Sequence, residues 1–496
     1  MLKDFESKKR EDKSSLNAQI KELQALLLSQ QQLLMREKLP MIVLIEGWSA
    51  SGKGTLIKEL ISELDPRFYH VESPKVLPEA EERYPFLYQY FKAIPVNGKV
   101  TFLDSGWMEA AVRKYLRHEI TKDEYRHRIR QVNEFERQLR DSGYVILKIF
   151  LHIGKQVQYE RLSQLVEDPA TEWRVDKEDL WQHKEYKRFM EAYDEFMDKT
   201  GDIAGWHILD GSRHITATRD ALKLITQRVE RAVQEGRYQG VTSEEDFPLK
   251  EMPKLAEVDL SPTIDDDEYK KELKKLQTRI SELHNILYRK KIPVILCYDG
   301  WDAAGKGGNI RRLTYALDPR GFDVHPIASP LPHEQSRQYL WRFWTRLPKT
   351  GHICIFDRTW YGRVMVERLE GFCSENEWRR AYHEINEFER MLTEWGAVLL
   401  KFWIHIDQDT QLERFTLREN TPEKQWKITD EDWRNREKWS EYEIAVDEML
   451  SKTSTKNAPW HIIESNDKKY ARIKALKIIV KALEKACDKH FQKMME

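Results

Sequence analysis

Short apolar runs alternate with longer amphipathic stretches through the second half of the chain. The runs cover residues 292–298, 322–327, 352–356, 398–406 and 460–464. Short apolar runs are typical of buried strands, and strands that alternate with helices indicate βαβ units. The pattern therefore predicts an α/β fold built around a parallel sheet.

A helical pattern opens each half of the chain, at residues 14–38 and 269–291. In the second of these stretches, the apolar residues recur three or four positions apart, as on one face of a helix. They are Leu273, Leu276, Ile280, Leu283 and Leu287. We interpret each stretch as a helix packed on its own domain, and contact with another chain through a coiled coil is the alternative.

The two halves repeat one another at an offset of 253 residues. Residues 38–54 match residues 291–307, Leu-Asp-Pro-Arg at 64–67 returns at 317–320, and Asn-Glu-Phe-Glu-Arg at 133–137 returns at 386–390. A repeat of this length indicates two copies of one domain. We predict domains at 1–240 and 266–496, joined by a linker at 241–265. This linker lies within a stretch, 235–267, that is rich in acidic residues, Pro, Gly and Ser.

The amino-acid composition excludes some classes of protein but does not indicate a binding partner. The 496 residues are 40% hydrophobic and 33% charged with a formal net charge of −1, so any polyanion site must be a local concentration of Lys and Arg. The four cysteines form no CxxC pair, which argues against a disulfide framework or a zinc site. With neither an apolar leader nor a membrane-length apolar run, we expect a cytoplasmic protein without membrane contact.

A phosphate-binding loop follows the first predicted strand of the second half. Gly-Trp-Asp-Ala-Ala-Gly-Lys-Gly at 300–307 lies between that strand and a predicted helix start, where backbone N–H groups can cradle phosphate oxygens. The predicted phosphate-binding residues are Gly300, Ala303, Ala304, Gly305, Lys306, Gly307 and Gly308. Gly307 stands where such loops usually place a magnesium-binding Ser or Thr, so another oxygen must bind the metal. A purely structural turn is the alternative.

The strand at 352–356 is followed by Asp357. Its position in the chain relative to the loop is close to that of the magnesium-binding carboxylate in P-loop enzymes. Asp302 can supply the oxygen that Gly307 lacks, so Asp302 and Asp357 are the predicted metal ligands. Arg358 and Arg363 follow directly and are predicted to act in catalysis together with these two carboxylates and Lys306. Taken alone, Asp357 could equally be a helix cap or a turn former.

The segment 411–442 is predicted to be a lid over the site. Its candidate anion-binding side chains are Arg414, Arg418, Lys424 and Lys427, and the first two share one helix face. Acidic residues are interleaved with them, so a solvated helix of mixed charge is the competing interpretation.

These motifs resemble those of the family-2 polyphosphate kinases, specifically the fused two-domain members that act as polyphosphate:AMP phosphotransferases. The resemblance rests on residues 300–308, 356–363, 386–390 and 422–427 and covers residues 269–476. It implies two tandem P-loop kinase domains with helical lids, and dependence on Mg²⁺ with Mn²⁺ as a substitute. It also implies reversible transfer of the terminal phosphoryl group of inorganic polyphosphate to AMP, which gives ADP, without nucleic acid as a partner.

The first half departs from this pattern at several positions of the predicted site. Ser49, Ser105, Met108, Ala110, Leu165 and Thr171 replace Asp302, Arg358, Tyr361, Arg363, Arg418 and Lys424. Lys53, Asp104 and Arg161 are kept. We therefore expect the first domain to be pseudo-catalytic and to act as a built-in second subunit. Association of the whole chain into a homo-oligomer is left open.

Two other functions compete with polyphosphate-dependent transfer. An ATP-dependent nucleoside monophosphate kinase would use the same loop, lid and metal. A non-catalytic scaffold that binds nucleotide or nucleic acid would use the basic lid residues alone. In the favoured interpretation the attacking AMP phosphate is already ionised near neutral pH, so no strong general base is required.

Overall fold

The structure, a computed structural model, describes residues 1–5, 11–74, 83–236 and 247–495. The side chains of Lys424, Lys427 and residues 489–495 lie outside the described part, as does the beginning of the predicted linker. The described residues form two compact units. The first holds those up to 74, those of 86–236 and the segment 331–341, and the second holds 83–85, 247–330 and 342–495.

The first unit is a parallel sheet with helices packed against it. Its strands are β1 (Met41–Gly47), β2 (Tyr69–Glu72), β3 (Val100–Asp104), β4 (Val145–His152) and β5 (Trp206–Asp210). Its helices are α1 (Lys13–Arg36), α2 (Lys53–Ile61), α3 (Tyr88–Ala93), α4 (Trp107–Leu116), α5 (Lys122–Asp141), α6 (Lys155–Glu167), α7 (Lys177–Lys184), α8 (Tyr186–Lys199) and α9 (His214–Glu235). A short 3₁₀ turn, Glu172–Arg174, lies between α6 and α7. One face of the sheet packs its apolar side chains against α1, α2 and α9.

The second unit repeats this order. Its strands are β6 (Val294–Gly300), β7 (Phe322–Pro326), β8 (Ile353–Asp357), β9 (Val398–His405) and β10 (Trp460–Glu464). Its helices are α10 (Asp266–Arg289), α11 (Lys306–Thr314), α12 (Pro332–Gln335), α13 (Trp341–Trp344), α14 (Val366–Leu369), α15 (Glu375–Glu394), α16 (Gln408–Glu419), α17 (Asp430–Glu437), α18 (Trp439–Thr453) and α19 (Lys468–Met495). Two 3₁₀ helices, Trp360–Val364 and Pro422–Lys427, complete it. The short helix α12 and the first residue of α13 belong to the first compact unit.

The two sheets have the same strand order and are parallel throughout. The orders are β2-β3-β1-β4-β5 and β7-β8-β6-β9-β10. In the second sheet β6 lies between β8 and β9, and Tyr298 is in register with Asp357 of β8 and with Phe402 of β9. Loops that follow β6 and β8 therefore meet at one edge of the sheet, which is where ligands bind in open parallel sheets. The α/β prediction is confirmed.

The helix that opens the second half packs within its own unit. Leu276, Ile280, Leu283 and Leu287 of α10 are buried, and the helix contacts α19. Within the described residues, no helix combines the length and the apolar character needed to cross a lipid bilayer.

Each half of the sequence lends a short segment to the compact unit formed mainly by the other half. In the first unit, the Asn97 N–H donates to the Ser336 carbonyl at 2.9 Å. In the second, the Thr350 N–H donates to the Arg83 carbonyl at 2.8 Å. Both pairs are related by the 253-residue offset of the repeat. The exchange is therefore reciprocal and follows the internal symmetry of the chain.

The described part of the predicted linker packs on the second unit. Leu255 is buried, its N–H donates to Asp447 Oδ1 at 2.9 Å, and its carbonyl lies 3.2 Å from His405 Nε2. The Lys250 N–H donates to the Ser454 carbonyl at 2.6 Å. This stretch is thus fixed by backbone hydrogen bonds.

Candidate active site

The loop between β6 and α11 is held in a conformation that needs glycine at two positions. Gly300 has φ +149°, and a Cβ there would lie 2.4 Å from the carbonyl oxygen of Ile404 on the neighbouring strand. Gly305, at the start of α11, has φ +116°. Both values lie in the region that favours glycine. The glycines therefore let the loop turn sharply from the strand into the helix, whose first N–H groups lack intrahelical partners.

Some of the predicted phosphate-binding groups already make hydrogen bonds within the loop. The Ala304 N–H donates to the Trp301 carbonyl, and the Gly308 N–H donates to the Gly305 carbonyl. The Lys306 Nζ donates to the carbonyls of Gly300, at 2.6 Å, and Trp301, at 3.1 Å. The lysine is thus folded back over its own loop, near where a phosphate would lie.

Asp299, which sequence reasoning missed, is a buried carboxylate directly before the loop. Its Oδ2 accepts a hydrogen bond from Thr359 Oγ1 at 2.6 Å. Burial raises the pKa of Asp299 to about 6, and the nearby charge of Asp357 adds to the rise. The Thr359 hydrogen bond and the charge of Lys306 oppose it. The only sequence signal was an acidic residue at the end of an apolar strand.

Asp302 joins the loop to two other elements. Its Oδ1 lies 3.4 Å from Arg358 Nη2, and its Oδ2 accepts from Asn435 Nδ2 of α17 at 3.0 Å. Arg358 follows β8 and has φ +66°, a left-handed conformation that is uncommon for a residue with a side chain. Strain of this kind is often found at functional sites. Asp357, at the end of β8, is half-buried.

The carboxylates suit a magnesium ion that shares its ligands with a substrate. Within the described part of the chain, no cluster of three or more His, Cys, Asp or Glu side chains is arranged to hold a metal. Mg²⁺ usually takes one or two carboxylates and completes its shell with water and phosphate oxygens. Asp302 and Asp357 carry carboxylate oxygens of this kind, and of the two only Asp302 lines the cavity beside the loop.

A stacked pair of tryptophans supports the loop. The rings of Trp301 and Trp439 lie 3.7 Å apart and nearly parallel, and Trp301 Nε1 donates to His405 Nδ1 at 2.9 Å. The first half keeps this arrangement with Trp48, Tyr186 and His152. The support of the loop is therefore a property of the fold.

A buried ion pair fixes the segment that follows Asp357 and Arg358. Lys401 Nζ lies 2.7 Å from Glu389 Oε2, and Glu389 Oε1 accepts from Tyr361 Oη at 2.6 Å and Trp360 Nε1 at 3.1 Å. Burial raises the pKa of Glu389 and lowers that of Lys401, while their mutual attraction opposes both shifts. This pair recurs as Glu136 and Lys148 in the first half. The motif at 386–390 therefore serves the framework of the fold.

A cavity of about 80 Å³ opens beside the loop. Lys306, Asp302 and Arg358 line it together with Asp299 and Thr359. Its remaining wall includes Gly362, Val366, Asn435 and Tyr442. A Cβ at Gly362 would meet no other atom within 4 Å, so the space beside this residue is open.

The other predicted basic residues lie elsewhere. Arg363 pairs with Glu367 at 2.9 Å and is not part of the cavity wall. Arg414 is buried and donates to the carbonyls of Ala303, Ala304, Ser465 and Asn466 at 2.6–3.1 Å. Burial, together with the charge of Arg418, lowers the pKa of Arg414 to about 10.

Arg418 lies half-buried in the last turn of α16, and the 3₁₀ helix Pro422–Lys427 follows it. The side chains of Lys424 and Lys427 are outside the described part, so a polyphosphate-binding role for them stays a prediction. The polyphosphate-binding role of Arg414 and Arg418 and the catalytic role of Arg363 stay predictions as well. Arg161 of the first half makes the four carbonyl contacts that correspond to those of Arg414. This geometry favours a structural role for Arg414, which clamps the loop to the end of β10.

In the first half, an ion-pair chain occupies the positions that correspond to the cavity wall. Glu109 and Arg113 replace Gly362 and Val366, and Arg113 Nη2 lies 2.6 Å from Glu109 Oε1. Arg113 also pairs with Glu178, which in turn pairs with Arg117. The acidic and basic groups thus partly neutralise each other's charge.

The backbone of the first half differs at the same place. After β3 the chain enters the continuous helix α4, and Glu46 Oε1 accepts from the N–H groups of Met108 and Glu109 at 3.1 and 3.3 Å. Burial, with the charge of Glu109, raises the pKa of Glu46 to about 8. In the second half, a 3₁₀ helix replaces the start of this helix, and Thr359 rather than the backbone donates to the corresponding Asp299.

Comparison with known proteins was made for the whole chain. The family described as Polyphosphate kinase 2 matches twice, at residues 9–237 and 263–491. A Polyphosphate:AMP phosphotransferase of Pseudomonas aeruginosa is 38% identical over 487 residues, which cover 96% of this chain and 97% of the relative. A protein of the same name from Pseudomonas syringae pv. tomato is 39% identical over 93% of this chain and 94% of its own length. A crystal structure of polyphosphate kinase 2 from Pseudomonas aeruginosa covers 99% of this chain and is itself covered completely, with a TM-score of 0.84 and 35% identity.

Proposed function

Because the chain belongs to the polyphosphate kinase 2 family, we propose that it transfers the terminal phosphoryl group of inorganic polyphosphate to AMP and forms ADP. The observation that carries the proposal is the convergence of Lys306, Asp302 and Arg358 on one cavity beside a phosphate-binding loop. Relatives that match nearly the full length bear the name of this activity. For that reason the ATP-dependent nucleoside monophosphate kinase is not favoured.

The site acts mainly by positioning and charge neutralisation. Lys306 leaves the carbonyls of Gly300 and Trp301 and meets the phosphoryl group that is transferred, while Arg358 neutralises charge on the donor or acceptor. The AMP phosphate has its second pKa near 6, so it attacks without a general base. One phosphoanhydride is broken and another is formed, and the reaction is therefore reversible.

The carboxylates Asp302 and Asp357 hold the divalent cation, for which Mg²⁺ is proposed and Mn²⁺ can substitute. When bound, the cation neutralises the charge that develops on the bridging phosphate oxygens. Asn435 orients Asp302 through the hydrogen bond to Oδ2. Arg358 pairs with Asp302 until substrates arrive.

The first half is proposed to be pseudo-catalytic. It keeps Lys53 but has Ser49 and Ser105 in place of Asp302 and Arg358. Glu109 and Arg113 further replace Gly362 and Val366 of the cavity wall, where we propose that the acceptor binds. A cytoplasmic location is also part of the proposal, and the free thiols of all four cysteines favour it.

A donor assay tests the proposed reaction. The full chain is incubated with AMP, Mg²⁺ and inorganic polyphosphate without ATP, and ADP is measured by chromatography. We expect ADP to form, and the Lys306→Ala variant purified in parallel controls for contaminating kinases. Formation of ADP only when ATP replaces polyphosphate would overturn the proposal in favour of a nucleoside monophosphate kinase.

A further inference from the structure

A cavity of about 280 Å³ lies in the first unit, away from the phosphate-binding loop. Its wall includes Ile146 and Leu147 near the amino end of β4, His207 of β5, and the loop 203–205 that precedes β5. The P-loop follows the carboxyl end of β1, so the cavity is at the opposite edge of this parallel sheet. It is therefore separate from the remnant of the catalytic site.

The wall of this cavity carries three arginines and one carboxylate. The charged residues are Arg140, Arg228, Arg231 and Glu235. Arg231 Nε donates to Glu235 Oε1 at 2.7 Å, and Arg140 donates to Asp141 Oδ1 at 2.9 and 3.0 Å. Half-buried Arg228 makes no hydrogen bond and no ion pair within 4 Å of any described residue, and it feels the charges of Glu235 and Arg231 only at longer range. The lining therefore has more positive than negative charge, and one guanidinium is available to a ligand.

The repeat shows that the fold does not require this lining. At the corresponding positions of the second half, Thr393 replaces Arg140 and Ala482 replaces Arg228. Tyr144, whose hydroxyl donates to the Pro95 carbonyl at 3.1 Å, corresponds to Ala397. Helix α19 packs in its unit with alanine where α9 has Arg228, so the arginine is not needed for packing. It is a feature of the first half alone.

We propose that this cavity binds a short stretch of inorganic polyphosphate. Guanidinium groups bind phosphoryl oxygens through paired N–H donors, and three of them on one wall suit a chain of linked phosphates. The volume is close to the lower end of small-molecule sites, about 300 Å³. The choice of polyphosphate over other phosphate compounds rests on the proposed function. The first unit thus holds polymer that the second unit consumes.

The cavity can be tested by substituting the residues that the second half carries. In the double variant Arg140→Thr/Arg228→Ala, tripolyphosphate binding is measured by titration calorimetry on the full chain and compared with the wild type. We expect the wild type to show two classes of tripolyphosphate-binding site. In the double variant, one class should be lost or should bind tripolyphosphate at least about tenfold more weakly. Loss of charged hydrogen bonds changes an affinity by roughly this factor.

Two further variants distinguish an effect on the cavity from an effect of net charge, and melting temperatures report on misfolding. Arg126→Ala, at an exposed position of α5 that pairs with Asp123, removes one positive charge of the same unit elsewhere and should leave the isotherm unchanged. Arg228→Lys should restore part of the binding. The melting temperatures of the Arg126 and Arg228 single variants should match that of the wild type, whereas the double variant should melt lower because Arg140→Thr takes the guanidinium away from buried Asp141. An unaltered isotherm for the double variant would overturn the proposal.

Separate calorimetric titrations with AMP and with inorganic phosphate identify which ligand the cavity binds. If the double substitution weakens only AMP binding, or only binding of inorganic phosphate, the cavity is not a polyphosphate site. As a kinetic readout, the double variant should have a raised KM for long polyphosphate with an unchanged KM for AMP. Absence of any turnover in the wild type would reject the proposed function, while the calorimetric result would still decide on the cavity.

Discussion

Lys306 and Lys53 occupy the same place in two copies of one loop and make the same contacts. Each donates to the carbonyls of the loop glycine and of the tryptophan that follows it. The residues around the two lysines differ. Asp302 and Arg358 belong to the site of Lys306, while Ser49 and Ser105 take their places in the site of Lys53. A lysine contributes to phosphoryl transfer only where the other charges complete the site.

We predict that Lys306→Ala lowers turnover by about 10²–10³-fold, as the loss of one transition-state contact typically does. Lys53→Ala should keep turnover within about twofold of the wild type, since its site lacks the other catalytic groups. Both rates are measured with polyphosphate and AMP and normalised to folded protein. Equal losses in the two variants would mean that Lys53 also serves catalysis and that the first half is not pseudo-catalytic.

Asp299 makes the stability of the second unit depend on pH. Its pKa is about 6 in the folded protein against 3.8 when unperturbed, so the unfolded chain ionises first as pH rises between these values. The folded state therefore loses stability from pH 4 to pH 6, by up to about 3 kcal/mol, and the loss is constant above pH 6.

We predict that Asp299→Asn removes this loss. The variant should equal the wild type at pH 4 and exceed it increasingly up to pH 6 in the free energy of unfolding, measured with urea. Asn keeps an oxygen that can accept from Thr359, so the hydrogen bond survives the change. A stability difference that does not vary with pH would show that Asp299 is ionised normally in the folded state.

At this scale the sequence predicted the residues that local motifs mark. Gly300, Lys306, Asp302 and Arg358 do come together at one cavity, whereas Asp357 and Arg363 do not line it. Asp299 and Asn435 were not predicted, because their significance depends on contacts with residues far along the chain. The four carbonyl contacts of Arg414 were equally invisible, since a guanidinium that binds backbone and one that binds phosphate look alike in sequence.

At the scale of elements, the apolar runs predicted the strands closely. The runs at 322–327, 398–406 and 460–464 became Phe322–Pro326, Val398–His405 and Trp460–Glu464. The element after the β8 carboxylate was harder to predict. Trp360–Val364 is a 3₁₀ helix followed by α14, whereas the first half continues as one helix, α4. Capping by Glu46, which binds the first N–H groups of α4, accounts for this difference.

We predict that transferring the first-half residues into the second half closes the acceptor cavity. The variant Gly362→Glu/Val366→Arg should form the ion pair seen between Glu109 and Arg113 and raise the KM for AMP by at least about tenfold. The site of Lys306 should remain intact, so tripolyphosphate binding by calorimetry should be kept.

Gly362→Ala is the matched control, because a Cβ there meets no other atom within 4 Å and should change the KM little. The reverse substitution in the first half, Glu109→Gly/Arg113→Val, should leave the turnover of the chain unchanged. An AMP affinity that survives the Gly362→Glu/Val366→Arg change would place the acceptor elsewhere.

At the scale of the whole molecule, the reciprocal exchange of segments makes the stability of each half of the chain depend on the other half. Residues 331–341 belong to the first compact unit, and there Arg337 Nε donates to the Ile94 carbonyl at 3.1 Å. The Gln338 N–H donates to Tyr144 Oη at 3.3 Å, and Leu340 is fully buried. Neither periodicity nor motif could predict this, because the exchange does not alter the pattern of polar and apolar residues.

The fragment 266–496 therefore contains the complete candidate site but not the partners of its exchanged segment. In that fragment Leu340 loses its surroundings, which costs about 1.5–3 kcal/mol, and Thr350 loses the hydrogen bonds to the Arg83 carbonyl and from Arg83 Nη2. We predict a melting temperature at least about 5 °C below that of full-length Lys53→Ala, given the usual relation for domains of this size.

Turnover per folded molecule of the fragment should stay measurable and should disappear with Lys306→Ala. Hydrogen exchange gives the direct readout, because the amides of Gln338 and Thr350 should be protected in the full chain and exchange rapidly in the fragment. Full-length Lys53→Ala serves as the control, since it lacks the same lysine while keeping both exchanged segments. Equal protection of these amides in the two proteins would mean that segment 331–341 is held by its own half, and the first half would then have no structural role at this place.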